Sequence, residues 1–280
     1  MTLRRDLAIR WASYLAVAVA FAVLCGYLSN WQFSRNAERA ELLATVERNY
    51  DAPAVQLGEV LAPGATLNAA DQWRPVRLQG SYLPEHQVLA RNRAHGGTSA
   101  FEVLVPFRAS DGRILLIDRG WLRPGATSPQ PDAIPAAPDG EVTVTARLRP
   151  GELLPRSGRT EAPTGQVPTI NLPLIAEQTG LGAALEPGAY GLLASENPAP
   201  DQRPQPLPAP SEESGPYLSY AIQWILFAVM GFVFIGYVIR SERGRRGNET
   251  DQSPRRRDRD AEEEDAFAQS LSGESLSRER

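Results

Sequence analysis

The chain has 280 residues, 42% hydrophobic and 22% charged, with a mean hydropathy of −0.31. Its 29 basic residues are all arginine and the net charge is −4, so no concentrated basic surface is available, which argues against a nucleic-acid binder. One cysteine, Cys25, rules out an intrachain disulfide and a cysteine-rich zinc module. Two histidines, His86 and His95, leave little material for a transition-metal site.

Residues 1–10 form a short arginine-bearing N-terminus, followed by a charge-free stretch whose span is placed at residues 11–30. Trp11 and Trp31 bracket it. Twenty helical residues rise about 30 Å, the thickness of a bilayer core, and indoles at that spacing suit its two interfaces. No A-x-A cleavage site follows, so the stretch reads as a retained anchor rather than a signal peptide. A second charge-free stretch opens near Ser214 and places a span at residues 216–239, up to Arg240. Arg4, Arg5 and Arg10 precede the first span; Arg240, Arg243, Arg245 and Arg246 follow the second. Short arginine-rich flanks stay in the cytoplasm, which predicts a cell-membrane protein with both termini inside and its central domain outside.

That domain, residues 31–197, reads as helical over 31–49 and then as β-rich. Strands are predicted at 73–83, 87–93, 101–108, 113–122, 141–148 and 189–194, with a short helix at 173–179. Asp111-Gly112, between Val103-Leu104-Val105-Pro106-Phe107 and Ile114-Leu115-Leu116-Ile117, is a hairpin signal. Glu141 to Ala146 alternates with period two, as a half-buried strand does. Short strands in succession favour a small antiparallel, barrel-like sheet, giving an α+β membrane protein with two transmembrane helices flanking it. The five prolines of 124–140 mark a loop. The six of 198–210 predict a semi-rigid spacer over 198–215. The tail, 240–280, is nearly free of large apolar residues and reads as disordered.

No Walker loop, Rossmann glycine pattern or H-E-x-x-H is present, the one cysteine lies in a span, and neither histidine belongs to a triad motif. The chain therefore reads as a non-enzyme. Both histidines lie in or beside turns and are expected to be exposed and uninvolved. Arg119-Gly120-Trp121 reads as a strand end, with glycine for a bend, tryptophan for the core and arginine for a structural pair.

One ordered set of short motifs goes further. Trp31-Gln32-Phe33-Ser34-Arg35 follows the first span. Arg74-Pro75-Val76-Arg77-Leu78-Gln79-Gly80, Val88-Leu89-Ala90-Arg91-Asn92-Arg93, Val105-Pro106-Phe107 and Ile117-Asp118-Arg119-Gly120-Trp121 come next. Leu218-Ser219-Tyr220-Ala221-Ile222-Gln223-Trp224 opens the second span. Over roughly residues 11–240 this resembles the surfeit locus protein one family, in an actinobacterial-type member. The resemblance implies a membrane-anchored, chaperone-like assembly factor for cytochrome c oxidase in respiratory-chain biogenesis. Such a factor assists delivery or insertion of haem a into the catalytic subunit, with that subunit, the haem a synthesis machinery and the bilayer as partners. It implies transient haem a contact through Tyr217, Trp224 and Arg35. Tyr217 stands where the family often has a histidine, Arg39 where it commonly has lysine, and Asp118 where it often has asparagine. An interfacial aromatic belt also accounts for Tyr217, Tyr220 and Trp224, which share one helical face. The competing reading is a membrane-anchored extracytoplasmic scaffold or sensor domain that binds another membrane protein.

Overall fold

The structure is a computed structural model that describes residues 2–156, 158, 160–211 and 213–244. The chain divides into two compact units, one of residues 1–38 with 214–280 and one of 39–213. Helix α1, Thr2–Asn49, is unbroken for 48 residues, about 72 Å at 1.5 Å per residue. The span predicted at 11–30 and the helix predicted at 31–49 are thus one element. No proline or glycine-serine pair interrupts the sequence where they meet. The second span lies in α4, Tyr217–Gly244. The first residues of the predicted disordered tail, 240–244, are helical, and the rest of that tail lies outside the described residues.

In the first unit the apolar portions of α1 and α4 run antiparallel. Ser29 Oγ donates to the Ala221 carbonyl at 2.9 Å, and Ala18, Cys25, Ser29 and Ala221 are buried where the helices meet. Small residues let two helix backbones approach in lipid, where dispersion and hydrogen bonds replace the hydrophobic effect. At the far end Arg10 pairs with Glu242, Trp11 Nε1 donates to Glu242 at 3.3 Å, and Arg243 lies 4.7 Å from the Trp11 ring centre.

In the second unit the strands are β1 (Val55–Gln56), β2 (Pro75–Tyr82), β3 (Val88–His95), β4 (Thr98–Ala109), β5 (Ile114–Leu122), β6 (Val142–Arg149), β7 (Gln166–Val167) and β8 (Leu185–Asn197). Helix α2 (Leu57–Val60) is a single turn, and α3 (Leu172–Gln178) starts at Asn171, whose side chain accepts from the Leu174 amide. The sheet order is β1-β2-β6-β8-β5-β4-β3-β7, and a further β2–β4 pairing closes β2, β6, β8, β5 and β4 into a barrel. The twelve-residue β4 makes closure possible, with its first half paired to β3 and its last residues, Phe107–Ala109, to β2. A Cβ on Gly80 would collide with the Arg108 carbonyl oxygen at this seam.

Four of the six predicted strands fall within two residues of their predicted bounds, and β4 starts three residues early, at Thr98. The last is longer, because Glu186-Pro187-Gly188 lack strand character and are held by pairing and by contact with the 61–67 loop. The barrel-like, mostly antiparallel sheet is as read, with one principal exception: β5 and β8 run parallel. Their direction follows from β6, which pairs antiparallel with both β2 and β8 and so turns β8 alongside β5. The two-residue strands β1 and β7 add parallel edges too short to predict.

Alternation decides the core. Val76, Leu78, Val103, Val105, Phe107, Leu115, Ile117, Val144, Ala146 and Leu148 fill the barrel. Leu104, Ile114 and Leu116 face the other way, beneath Val167, Ile170, Leu172 and Ile175. β5 is buried on both faces, which explains its continuous Ile-Leu-Leu-Ile run. Burying each such side chain contributes about 1.5–3 kcal/mol.

The proline-rich segment is tied down at two places. Gln205 forms an isolated antiparallel bridge with Trp121, and Arg39 donates to the carbonyls of Ser211 (2.9 Å) and Glu213 (2.9 and 3.0 Å).

Candidate functional site

Tyr217, Trp224 and Arg35 all lie in the helix pair. Tyr217 begins α4 and is half-buried, and its ring lies over Gly215, where an added Cβ would sit 3.1 Å from Tyr217 Cε2. Trp224 is also half-buried and meets Phe227 edge-on, with ring centres 5.7 Å apart. Arg35 is exposed, pairs with Glu38 at 2.9 Å and lies 5.8 Å from the Trp31 ring centre.

The Ser29–Ala221 contact fixes their depth. Tyr217 stands four residues, about 6 Å, to one side of it on α4, and Arg35 six residues, about 9 Å, to the same side on α1. Trp224 lies about 10 Å deeper than Tyr217. The helices therefore bring Tyr217 and Arg35 to one end, with Trp224 inside it. Among the described residues none of the three hydrogen-bonds to another. A fourth group falls at that end: Gln32 Oε1 is buried and has no hydrogen-bond partner. Its placement one turn from Ser29 was legible; its lack of a partner was not.

The Asp118-Arg119-Gly120-Trp121 motif ends β5. Arg119 points into the barrel, fully buried, with its guanidinium 3.0 Å from Glu196 Oε1 and 3.1 Å from the Pro135 carbonyl. Tyr82 donates to Glu196 Oε2 at 2.8 Å, and Arg119 lies 5.3 Å from the Tyr82 ring centre. Burial, reinforced by the Glu196 charge, pushes the Tyr82 hydroxyl far above its ordinary pKa of 10.0. Gly120 has φ 126°, and a Cβ there would collide with the Gln205 carbonyl oxygen. The Trp121 indole donates to the Pro206 carbonyl at 3.2 Å. The structural pair and the bend are as the sequence indicated.

The histidines require correction. His95 is largely buried, stacks on Trp121 with ring centres 5.2 Å apart, and bonds Glu102 Oε1 through Nε2 at 2.7 Å. His86 is part-buried, and its Nδ1 lies 2.8 Å from the Thr179 carbonyl. Both flank turns, yet each turn folds back onto a neighbouring element. On the face of β5 opposite Arg119, Asp118, Glu102, Glu152 and Arg93 form a second buried polar group. Among the described residues no cluster of three His, Cys, Asp or Glu has metal-binding geometry.

Comparison with known proteins shows the family. The family model described as the SURF1 family matches residues 19–229. Uncharacterised SURF1-like proteins of Mycobacterium bovis and Mycobacterium tuberculosis are each 38% identical over 248 residues, covering 87% of this chain and 89% of theirs. The cytochrome oxidase assembly protein SHY1 of Saccharomyces cerevisiae is 25% identical over 118 residues, 41% of this chain and 29% of that protein. The family match takes in the barrel and reaches into both membrane helices, and the chain belongs to the SURF1 family.

Proposed function

We propose that this chain is a non-catalytic assembly factor for cytochrome c oxidase that assists delivery or insertion of haem a into the catalytic subunit. The observation that carries the reading is the family match over 19–229, which joins barrel and helices in one unit of descent. The name of the yeast relative, an oxidase assembly protein, supports the same role here.

Haem a is the cargo in this reading, and the helix pair offers groups that suit it. Arg35 offers a guanidinium for propionates, Trp224 an indole face, and Gln32 an unpaired acceptor. Phe21, Phe227, Met230, Phe234 and Tyr237 line an apolar groove suited to an isoprenoid tail. Tyr217 stands where the family often has a histidine, so its phenol is the iron-directed group in this reading. Arginines at both chain ends favour cytoplasmic termini and an extracytoplasmic domain. The partners are then the oxidase catalytic subunit and the haem a synthesis machinery.

The test is a deletion strain assayed for haem content of its oxidase, beside the absorption spectrum of the full-length protein from haem-a-producing cells. Loss of oxidase haem a with a Soret band on the purified chain is expected. Normal oxidase haem content would reject the reading. A scaffold role is favoured by one feature, the 89% exposure of Leu153 on a loop pinned by Glu152 and Asn171. That role predicts oxidase loss on Leu153→Asp with the haem spectrum unchanged.

A further inference from the structure

Two carboxylates share one guanidinium on the outer face of β4 and β5, and a third lies beside them. Arg93 of β3 contacts Glu152 at two points, 2.9 and 3.1 Å, and sets its Nε 2.6 Å from Glu102 Oε2. The last contact is ionic without hydrogen-bond alignment, since Oε2 has no hydrogen-bond partner. Thr169 Oγ1 (2.6 Å) and the Ile170 amide (2.9 Å) also donate to Glu152. Asp118 of β5 lies among them, 1% exposed. Its Oδ1 accepts only the Gly120 amide at 3.0 Å, and its Oδ2 is buried with no partner.

The groups facing Asp118 come from every element packed against it. β3 supplies Arg93 and His95, β4 Glu102, the loop after β6 Glu152, and β8 Tyr190, beside which Arg149 of β6 also acts. Arg119 is on the opposite face and is taken by Glu196. With Arg93 divided between Glu102 and Glu152, an ionised Asp118 would be a buried charge with one amide for company. Burial, with the adjacent Glu102 charge, raises its carboxyl well above the ordinary range and so favours the neutral acid.

We propose that Asp118 is a proton-controlled latch: as the neutral acid it lets the β3–β4 hairpin and the Glu152 loop close over β5, and its ionisation loosens both. An ionised Oδ2 needs donors, and the nearest cation is Arg93. Drawing Arg93 towards Asp118 strips it from Glu152, a contact that joins β3 to the 150–170 segment beside the two-residue β3–β7 pairing. β3 already carries its irregularity here: the register shifts between Ala90 and Arg93, and Asn92 has φ 59°.

The sign follows from proton linkage. The folded state keeps a proton that the open state releases, so opening grows with pH between the ordinary carboxyl pKa of 3.8 and the raised value. Hydrogen exchange at residues 91–101 of the full-length protein in detergent, from pH 5 to 9, reads this directly. Wild type should show an opening equilibrium that rises by up to about tenfold per pH unit, beyond the intrinsic base catalysis. Asp118→Asn keeps the shape and stays neutral, and should be flat. Should that variant not fold, a carboxyl-carbon NMR titration of wild type decides. Equal pH slopes in the two proteins, or an Asp118 that titrates in the ordinary acidic range, would overturn the latch.

Discussion

Gln205 and Trp121 exchange two backbone hydrogen bonds, Trp121 N to Gln205 O at 2.8 Å and Gln205 N to Trp121 O at 2.9 Å. The proline-rich segment thereby extends the sheet at the end of β5, where β8 has already diverged after Leu192. Gly120 is what admits it. Gly120→Ala should expel residues 204–206 and cost about 1–3 kcal/mol, because it combines a left-handed backbone with a collision at Gln205 O. Faster exchange of the Gln205 amide with a lowered melting temperature is the expected result. An unchanged amide would mean that the bridge does not depend on that close approach.

Arg119 and Glu196 are a buried pair with little solvent on either side. Arg119→Met should cost about 3–5 kcal/mol, since Glu196 keeps its burial and loses its cation. Denaturant unfolding in detergent checks this. A loss below about 1 kcal/mol would show that water reaches Glu196 in the variant.

Tyr82 adds a pH limb to the same group. Its folded-state hydroxyl is held above the ordinary value, so the folded chain keeps a proton that the unfolded chain releases. Stability is therefore complete below pH 10 and falls as pH rises beyond it. Tyr82→Phe should weaken stability near neutrality, because Glu196 loses a donor, yet show a shallower alkaline decline. Parallel alkaline curves for the two proteins would assign the decline to other tyrosines, Tyr190 first among them.

The role of Tyr217 is read from absorption spectra of three purified proteins in both redox states. If its phenol ligates iron, Tyr217→Phe should abolish the haem spectrum, and Tyr217→His should strengthen binding of the ferrous form. If Tyr217 serves only the aromatic belt, Tyr217→Phe should match wild type.

Topology has its own measurement. A reporter active only outside the cytoplasm, fused after Arg280, should be silent, and one inserted in the 124–140 loop should be active. Activity at Arg280 would break the assignment of both termini to the cytoplasm.

Local chemistry made much of this fold legible. The Asp111-Gly112 turn and the alternation of β6 reveal their strands because hairpin pairing and burial act over two to ten residues. The parallel β5–β8 pairing and the β2–β4 seam were hidden, because their partners lie roughly 30 to 70 residues apart and leave no local mark. The same holds at the candidate site. Helix arithmetic places Arg35, Tyr217 and Trp224 at one end of the spans, whereas the burial of His95 and the Asp118 group depend on side chains contributed from elsewhere. A histidine beside Gly96-Gly97 reads as exposed until Trp121 is known to lie under that turn.

Barrel closure also sets the order in which this chain becomes safe. β8 is inserted between β5 and β6, and it is the last strand before α4. Until residues 185–197 have been made and have paired, β5 and β6 each present an open edge of apolar, β-branched residues. Such edges are templates for pairing with other chains. Pairings this distant in sequence also form slowly. The nascent domain therefore passes through an interval in which most of its strands are present and its sheet is unsealed. Truncations that stop short of Leu185 should aggregate rather than persist as smaller folded domains.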